Sequence, residues 1–439
     1  MNTSSDSAPA VFAHGNRSSS ASRPAGCGRR SLAPGRWAQF ATLGLLACLA
    51  ALDARAQDAI APLPQEPVVP QVLRDANPGS DQSQIGPVGG SLLTYGPVNV
   101  HANLLYRYMY DQGLRVSGQQ VNTASHTIAP GINMDLGTHW SLAYDPSWTF
   151  YQSQGLRNTV SQSVSAQGAE KVADWGVQVS ENYTKSTPLL IETAQQTDLR
   201  DWSTMVSATH DIGDQFQFQA SGGMDARYGS NTPDVRNWSG QLWLSKAVDS
   251  ALSLAIGPSY GYEDISQQPN QQYERYSGRI DWQLSEKVKL HLQGGWEDRQ
   301  ILSTVRKTLR NPNVDGSLDY RPFEATSVSF TTSRSTDVSY LSNQITDATR
   351  WGVNLSQRLL LRYFLSAGYN HQRNSYTVTS GPLVVDRVDK NDSYNLRLTT
   401  SLFDHWTVAA AFTDNKNASS AQSFGFASKQ YSLELNCRY

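Results

Sequence analysis

The final nine residues, Tyr431-Ser432-Leu433-Glu434-Leu435-Asn436-Cys437-Arg438-Tyr439, alternate apolar and polar side chains without a break. Successive side chains of a β-strand point to opposite faces, so this segment offers one face to apolar surroundings and the other to polar ones. Two environments fit. One is the edge strand of a soluble sandwich, and the other is the wall of a barrel with lipid outside and water within.

The rest of the chain favours the second. Of 439 residues, only 17% are charged and 10% are aromatic, with a net charge of −2. That balance gives no reason to expect nucleic acid as a partner. Low mean hydropathy argues against a helical membrane protein, and half-polar strands escape a hydropathy scan. The one long apolar run, Phe40 to Leu52, follows Arg29, Arg30 and Arg36 and precedes Ala54-Arg55-Ala56. Residues 1–56 therefore read as a signal peptide cleaved before Gln57. A twin-arginine signal at Arg29-Arg30 and a lipoprotein box at Leu45-Leu46-Ala47-Cys48 are the alternatives. Cys27 and Cys48 fall in this leader, which leaves Cys437 alone and rules out an internal disulfide in the mature chain. Residues 57–96 carry six prolines, from Pro62 to Pro87, among Gly and Gln, and read as a flexible periplasmic tail.

Over residues 97–439 one pattern recurs: an apolar residue, three turn residues, then apolar residues at every second position. It starts at Leu136, Ile212, Val248, Leu284, Leu355 and Leu402, with weaker copies near Lys171–Trp175 and Tyr320–Ala325. The steps are mostly about 35 to 40 residues, which suits two strands of about 11 residues joined by one short and one long connection. Nine such units predict an all-β fold, a transmembrane antiparallel up-and-down β-barrel. About 18 strands are expected, with 16 as the nearest alternative, and both termini periplasmic. Polar stretches at Asp111–Val121, Ser186–Gln196, Arg299–Arg310 and Ser375–Lys390 read as the long connections.

One strand face carries Leu254, Ile256, Trp351, Val353, Leu396 and Leu398, the expected contact with outer-membrane lipid. Trp140, Trp175, Phe216, Trp406 and Tyr439 sit beside short turns or the terminus, as an interfacial aromatic girdle would. The opposite face places Arg107, Arg275, Arg279, Arg350, Arg362, Arg397 and Arg438 in the lumen, with fewer inward acids. Fixed guanidinium groups there would favour an anionic solute, unless they pair with acids of neighbouring strands and simply stiffen the wall. Tyr431, Leu433, Leu435, Cys437 and Tyr439 form the expected signal for the barrel-assembly machinery.

No catalytic constellation appears. The eight His are scattered, and paired-Cys, His-Glu-x-x-His, Gly-x-Ser-x-Gly and phosphate-loop spacings are missing. The reading is therefore not an enzyme, with no cofactor and no metal.

The stretch Gly316-Ser-Leu-Asp-Tyr320-Arg-Pro322-Phe-Glu-Ala-Thr-Ser-Val328-Ser-Phe330-Thr-Thr-Ser-Arg334 resembles β-barrel porin family 2, a group of bacterial outer-membrane barrels. The resemblance extends through Arg350–Tyr376 and more loosely over residues 97–439. It implies association with exopolysaccharide export. Two functions are then expected to compete. One is a pore for small solutes or an extracellular polysaccharide, with a tail that docks to a periplasmic export partner. The other is a non-conducting barrel whose long loops bind a partner or surface.

Overall fold

The computed structural model describes residues 92–303, 307–360, 362–379, 387–403 and 405–439. Residues 1–56, read as a signal peptide, and 57–91 of the tail lie outside the described residues.

The chain forms strands almost throughout. A short β1 (Leu93–Tyr95) precedes β2 (Val98–Val116), β3 (Gln119–Leu136), β4 (Trp140–Tyr151), β5 (Thr159–Val172) and β6 (Trp175–Ser186). A two-rung hairpin of β7 (Leu189–Leu190) and β8 (Gln195–Gln196) interrupts the wall before β9 (Leu199–Ile212) and β10 (Phe216–Gly229). Then come β11 (Val235–Ala247), β12 (Leu252–Ile265), β13 (Gln271–Ser285), β14 (Val288–Ile301), β15 (Lys307–Phe323) and β16 (Thr326–Val338). The wall ends with β17 (Gln344–Leu359), β18 (Tyr363–Val378), β19 (Arg387–Phe403), β20 (Trp406–Ser419) and β21 (Phe426–Arg438). Apart from β1, β7 and β8, each strand pairs antiparallel with its sequence neighbours, β6 with β9 across the hairpin, and β21 closes on β2. That makes 18 wall strands, the count expected from the turn spacing. Closure leaves no open edge, as a sheet surrounded by lipid requires.

Strand alternation sorts the side chains. Leu254, Ile256, Trp351, Val353, Leu396, Leu398 and Leu433 are exposed on the outside. Trp140, Trp175, Phe216 and Trp406 each open a strand at the short-turn end, and Tyr439 follows β21 there. Trp175 stacks on His210 and Tyr439 on His405, with ring centroids 4.8 and 4.7 Å apart. A second ring of aromatics was not legible beforehand. Tyr106, Trp148, Tyr183, Tyr260 and Trp296 each stand eight residues beyond the first residue of their strand, at Val98, Trp140, Trp175, Leu252 and Val288. Eight residues at about 3.4 Å each, tilted by roughly 40°, span about 20 Å, close to the apolar band of an outer-membrane barrel.

Five expectations need correction. The turn placed just after Leu355 lies four residues later, because β17 runs to Leu359, which pairs with Tyr363. Arg362 therefore sits in that exposed turn and not on a lumen-facing strand. Asp111–Val121 is mostly strand, since β2 and β3 meet at a two-residue turn, Ser117-Gly118. Arg299–Arg310 likewise continues β14 and β15, with residues 304–306 outside the described set. Nor does the tail remain separate as far as residue 96, because β1 turns at Gly96 and pairs with Val98–Val100.

Candidate functional site in the lumen

The interior is polar, and its charges are arranged as local networks. Glu434 of β21 lies between Arg107, at 3.0 Å, and Arg397, at 2.5 Å. Arg397 reaches it across β20 because Ala411 and Ala409 fill the intervening register positions. On the opposite wall Arg299 is 1% exposed and donates to Glu297, Glu263, Gln271 and the Thr336 carbonyl, at 2.6 to 3.0 Å. Arg275 donates to the second oxygen of Glu297 at 2.7 Å. Arg279 sits 3.3 Å from Asp281 and 4.7 Å above the Trp243 ring. That ring lies against Gly257, where an added Cβ would meet it at 2.8 Å.

Of the arginines expected in the lumen, Arg107, Arg275, Arg279 and Arg397 thus carry acid partners, and Arg438 pairs in register with Asn103 at the short-turn end. Arg350 differs. Its Nε and Nη1 are buried without a hydrogen-bond partner.

At the long-loop end the loops fold over the mouth. The β7–β8 hairpin carries Leu190, 2% exposed, into a cluster with Leu199 and Tyr340. The Glu192 carboxylate accepts from the Ser339 hydroxyl and from the Tyr340 N–H, the latter at 3.1 Å. Arg387 of β19 donates to the Glu192 carbonyl at 3.0 Å while stacking on Phe424 and Tyr376. Arg227 of β10 lies 4.1 Å over the Tyr340 ring and donates to the Val338 and Ser339 carbonyls. Burial pushes the Glu192 carboxyl up from its ordinary pKa, outweighing the Ser339 hydrogen bond and the pull of Arg227 and Arg387. Further ties come from Ser117 N–H to the Ala194 carbonyl, 2.7 Å, and from Arg157 N–H to the Gln196 side chain, 2.9 Å.

Arg299, Arg387 and Glu192 were not singled out from the sequence. Arg299 and Arg387 lie at the ends of stretches that read as loop, and Glu192 has no periodic neighbours to mark it. Alternation along Gln217, Gln219, Ser221 and Asp225 reads Arg227 as inward, without indicating its partner Tyr340.

A closed barrel with an apolar belt, aromatics at both margins and a polar interior is a membrane barrel of the outer-membrane type. No family model and no curated protein matches the chain. Among solved structures it is similar to OccK2 (OpdF) of Pseudomonas aeruginosa, at 10% identity and TM-score 0.45, over 77% of this chain and 98% of that one. A BenF-like porin from Pseudomonas fluorescens is similar at 10% identity and TM-score 0.46, over 77% and 99%. The FrpB iron transporter of Neisseria meningitidis is similar at 10% identity and TM-score 0.43, over 72% and 62%.

Proposed function

We propose that this protein is an outer-membrane channel for small hydrophilic solutes, narrowed at its long-loop end by the Leu189–Gln196 hairpin. The observation that carries the reading is a polar interior in a wall of 18 strands, with one hairpin seated in the mouth. A wall of that size is wider than its own side chains fill. The short-turn end, where β2 starts and β21 finishes, then faces the periplasm. Loops that knit to one another at the mouth suit a constriction better than a projecting binding surface. The resemblance to β-barrel porin family 2 belongs to this reading, as do assembly through the C-terminal strand and an export partner at the tail. Passage of a polysaccharide would require the hairpin to leave its seat.

Single-channel recording of the refolded protein in a planar bilayer tests the proposal. Steady conductance is expected, and replacing Leu189–Gln196 by a short Gly-Ser link should raise it at least about twofold by widening the constriction. A folded barrel that stays silent with the hairpin removed would end the channel reading.

A further inference from the structure

Four neighbouring strands bring one row of polar side chains to the same height beneath the hairpin. Arg350 of β17 pairs in register with Gln372 of β18, Gln372 with Asn391 of β19, and Asn391 with Asn417 of β20. Thr346 and Tyr376, themselves register partners, stand above the row. Together with Glu192 and Asp337 these residues line one cavity of about 60 Å³ that opens on the lumen. A water needs roughly 10–15 Å³ of such space, so the cavity admits a group of a few heavy atoms.

The lining is not satisfied by the protein. Arg350 Nε and Nη1, Asn391 Nδ2, Thr346 Oγ1 and Asn417 Oδ1 are all buried without a hydrogen-bond partner. Asn417 is 3% exposed, and its amide nitrogen is committed to the Phe424 carbonyl at 2.8 Å, which leaves the oxygen turned to the cavity. Gln372 is occupied, donating to Asn374 at 2.8 Å. Buried polar groups are ordinarily paired, so several orphans around one cavity specify what should enter it.

We propose that this row is a binding site for a hydroxylated monocarboxylate of the sugar-acid class. The inference rests on the channel reading and names the solute for which the lumen is built. The cavity takes the carboxylate end of the solute. The Arg350 and Asn391 N–H groups hold the carboxylate, Asn417 Oδ1 and Thr346 Oγ1 accept from the hydroxyl next to it, and the rest of the ring stays in the lumen. The Tyr376 ring walls one side. Asp337 at the margin restricts the site to a single negative charge, since a second carboxylate would face its own. A neutral sugar satisfies the acceptors and leaves the guanidinium unmatched.

Calorimetric titration of the refolded, detergent-solubilised protein with galacturonate, against galactose, tests the site apart from conductance. Galacturonate should bind, and galactose should bind at least about tenfold more weakly. Arg350→Gln should remove that difference, and Thr346→Val should weaken both sugars. Heat-modifiable migration on gels establishes that each variant folds. Equal binding of both sugars, no binding of galacturonate, or an Arg350→Gln variant that binds it unchanged overturns the proposal. Binding by a barrel that does not conduct would uphold the site and overturn the channel; conductance without galacturonate binding does the reverse.

Discussion

At the scale of single residues, the lumen is governed by whether a charge has been given a partner. Glu434 is 6% exposed and serves two guanidiniums at once, Arg107 and Arg397. Removing one member of a buried ion cluster leaves the others unpaired in a poor solvent, which typically costs about 3–5 kcal/mol. Because Arg397 keeps some contact with the lumen, Glu434→Ala should destabilise the barrel by about 2–4 kcal/mol. A shift of the urea midpoint measures this, and an unshifted midpoint would mean that lumen water already screens the cluster. Here the sequence was partly legible. Alternation alone turned Arg107, Arg275, Arg279, Arg350 and Arg397 inward, because a period of two leaves only two faces to choose from. Pairing depends on register across strands, and register is not written in any one strand.

Among the elements, the β7–β8 hairpin is the one whose seat is built around a buried titratable group, Glu192. Its seat holds Glu192 close to Arg227 and Arg387, with Ser339, Tyr340 and Tyr376 around it and Asp389 bound to Arg387. Burial favours the neutral form of Glu192, so the seated hairpin takes up a proton more readily than a released one does. Seating is therefore most favourable below the ordinary carboxyl pKa of 4.5 and weakens as pH rises through the raised value. Conductance should accordingly rise from acid toward neutral pH, and Glu192→Gln should flatten that rise and hold the channel in its narrow state. A wild-type conductance that falls over the same interval would show the two arginines to dominate over burial. The sequence marked Ser186–Gln196 as a long connection but held no sign that it turns inward. Its anchors at Ser339, Tyr340 and Arg387 are more than a hundred residues away along the chain.

For the whole molecule, the decisive fact is the inversion of a soluble protein, with apolar side chains outside and polar ones within. Leu433 is 58% exposed near the middle of β21, while its neighbour Ser432 faces the lumen. Arg at the lipid midplane costs about 2–4 kcal/mol and next to nothing on the lumen side. Leu433→Arg should therefore lower stability in lipid vesicles by about that amount, while Ser432→Arg leaves it nearly unchanged. The reverse result, a loss at Ser432 and almost none at Leu433, would mean that the two faces had been exchanged.

What the sequence determined by itself was whatever repeats locally: alternation within strands, aromatics at strand ends, and short turns at regular spacing. Those fixed an all-β closed wall and its 18 strands, since each hairpin carries its own period and turn. Even the turn after β17 was missed by only four residues, where Leu355-Ser-Gln-Arg-Leu359 imitates the turn pattern while still paired in the sheet. Only the tertiary structure decided which loop enters the mouth and which arginines are neutralised. It also set Arg350 in line with Gln372, Asn391 and Asn417. Those outcomes follow from closure, which sets the relative heights of strands far apart in sequence, and no local period encodes a height.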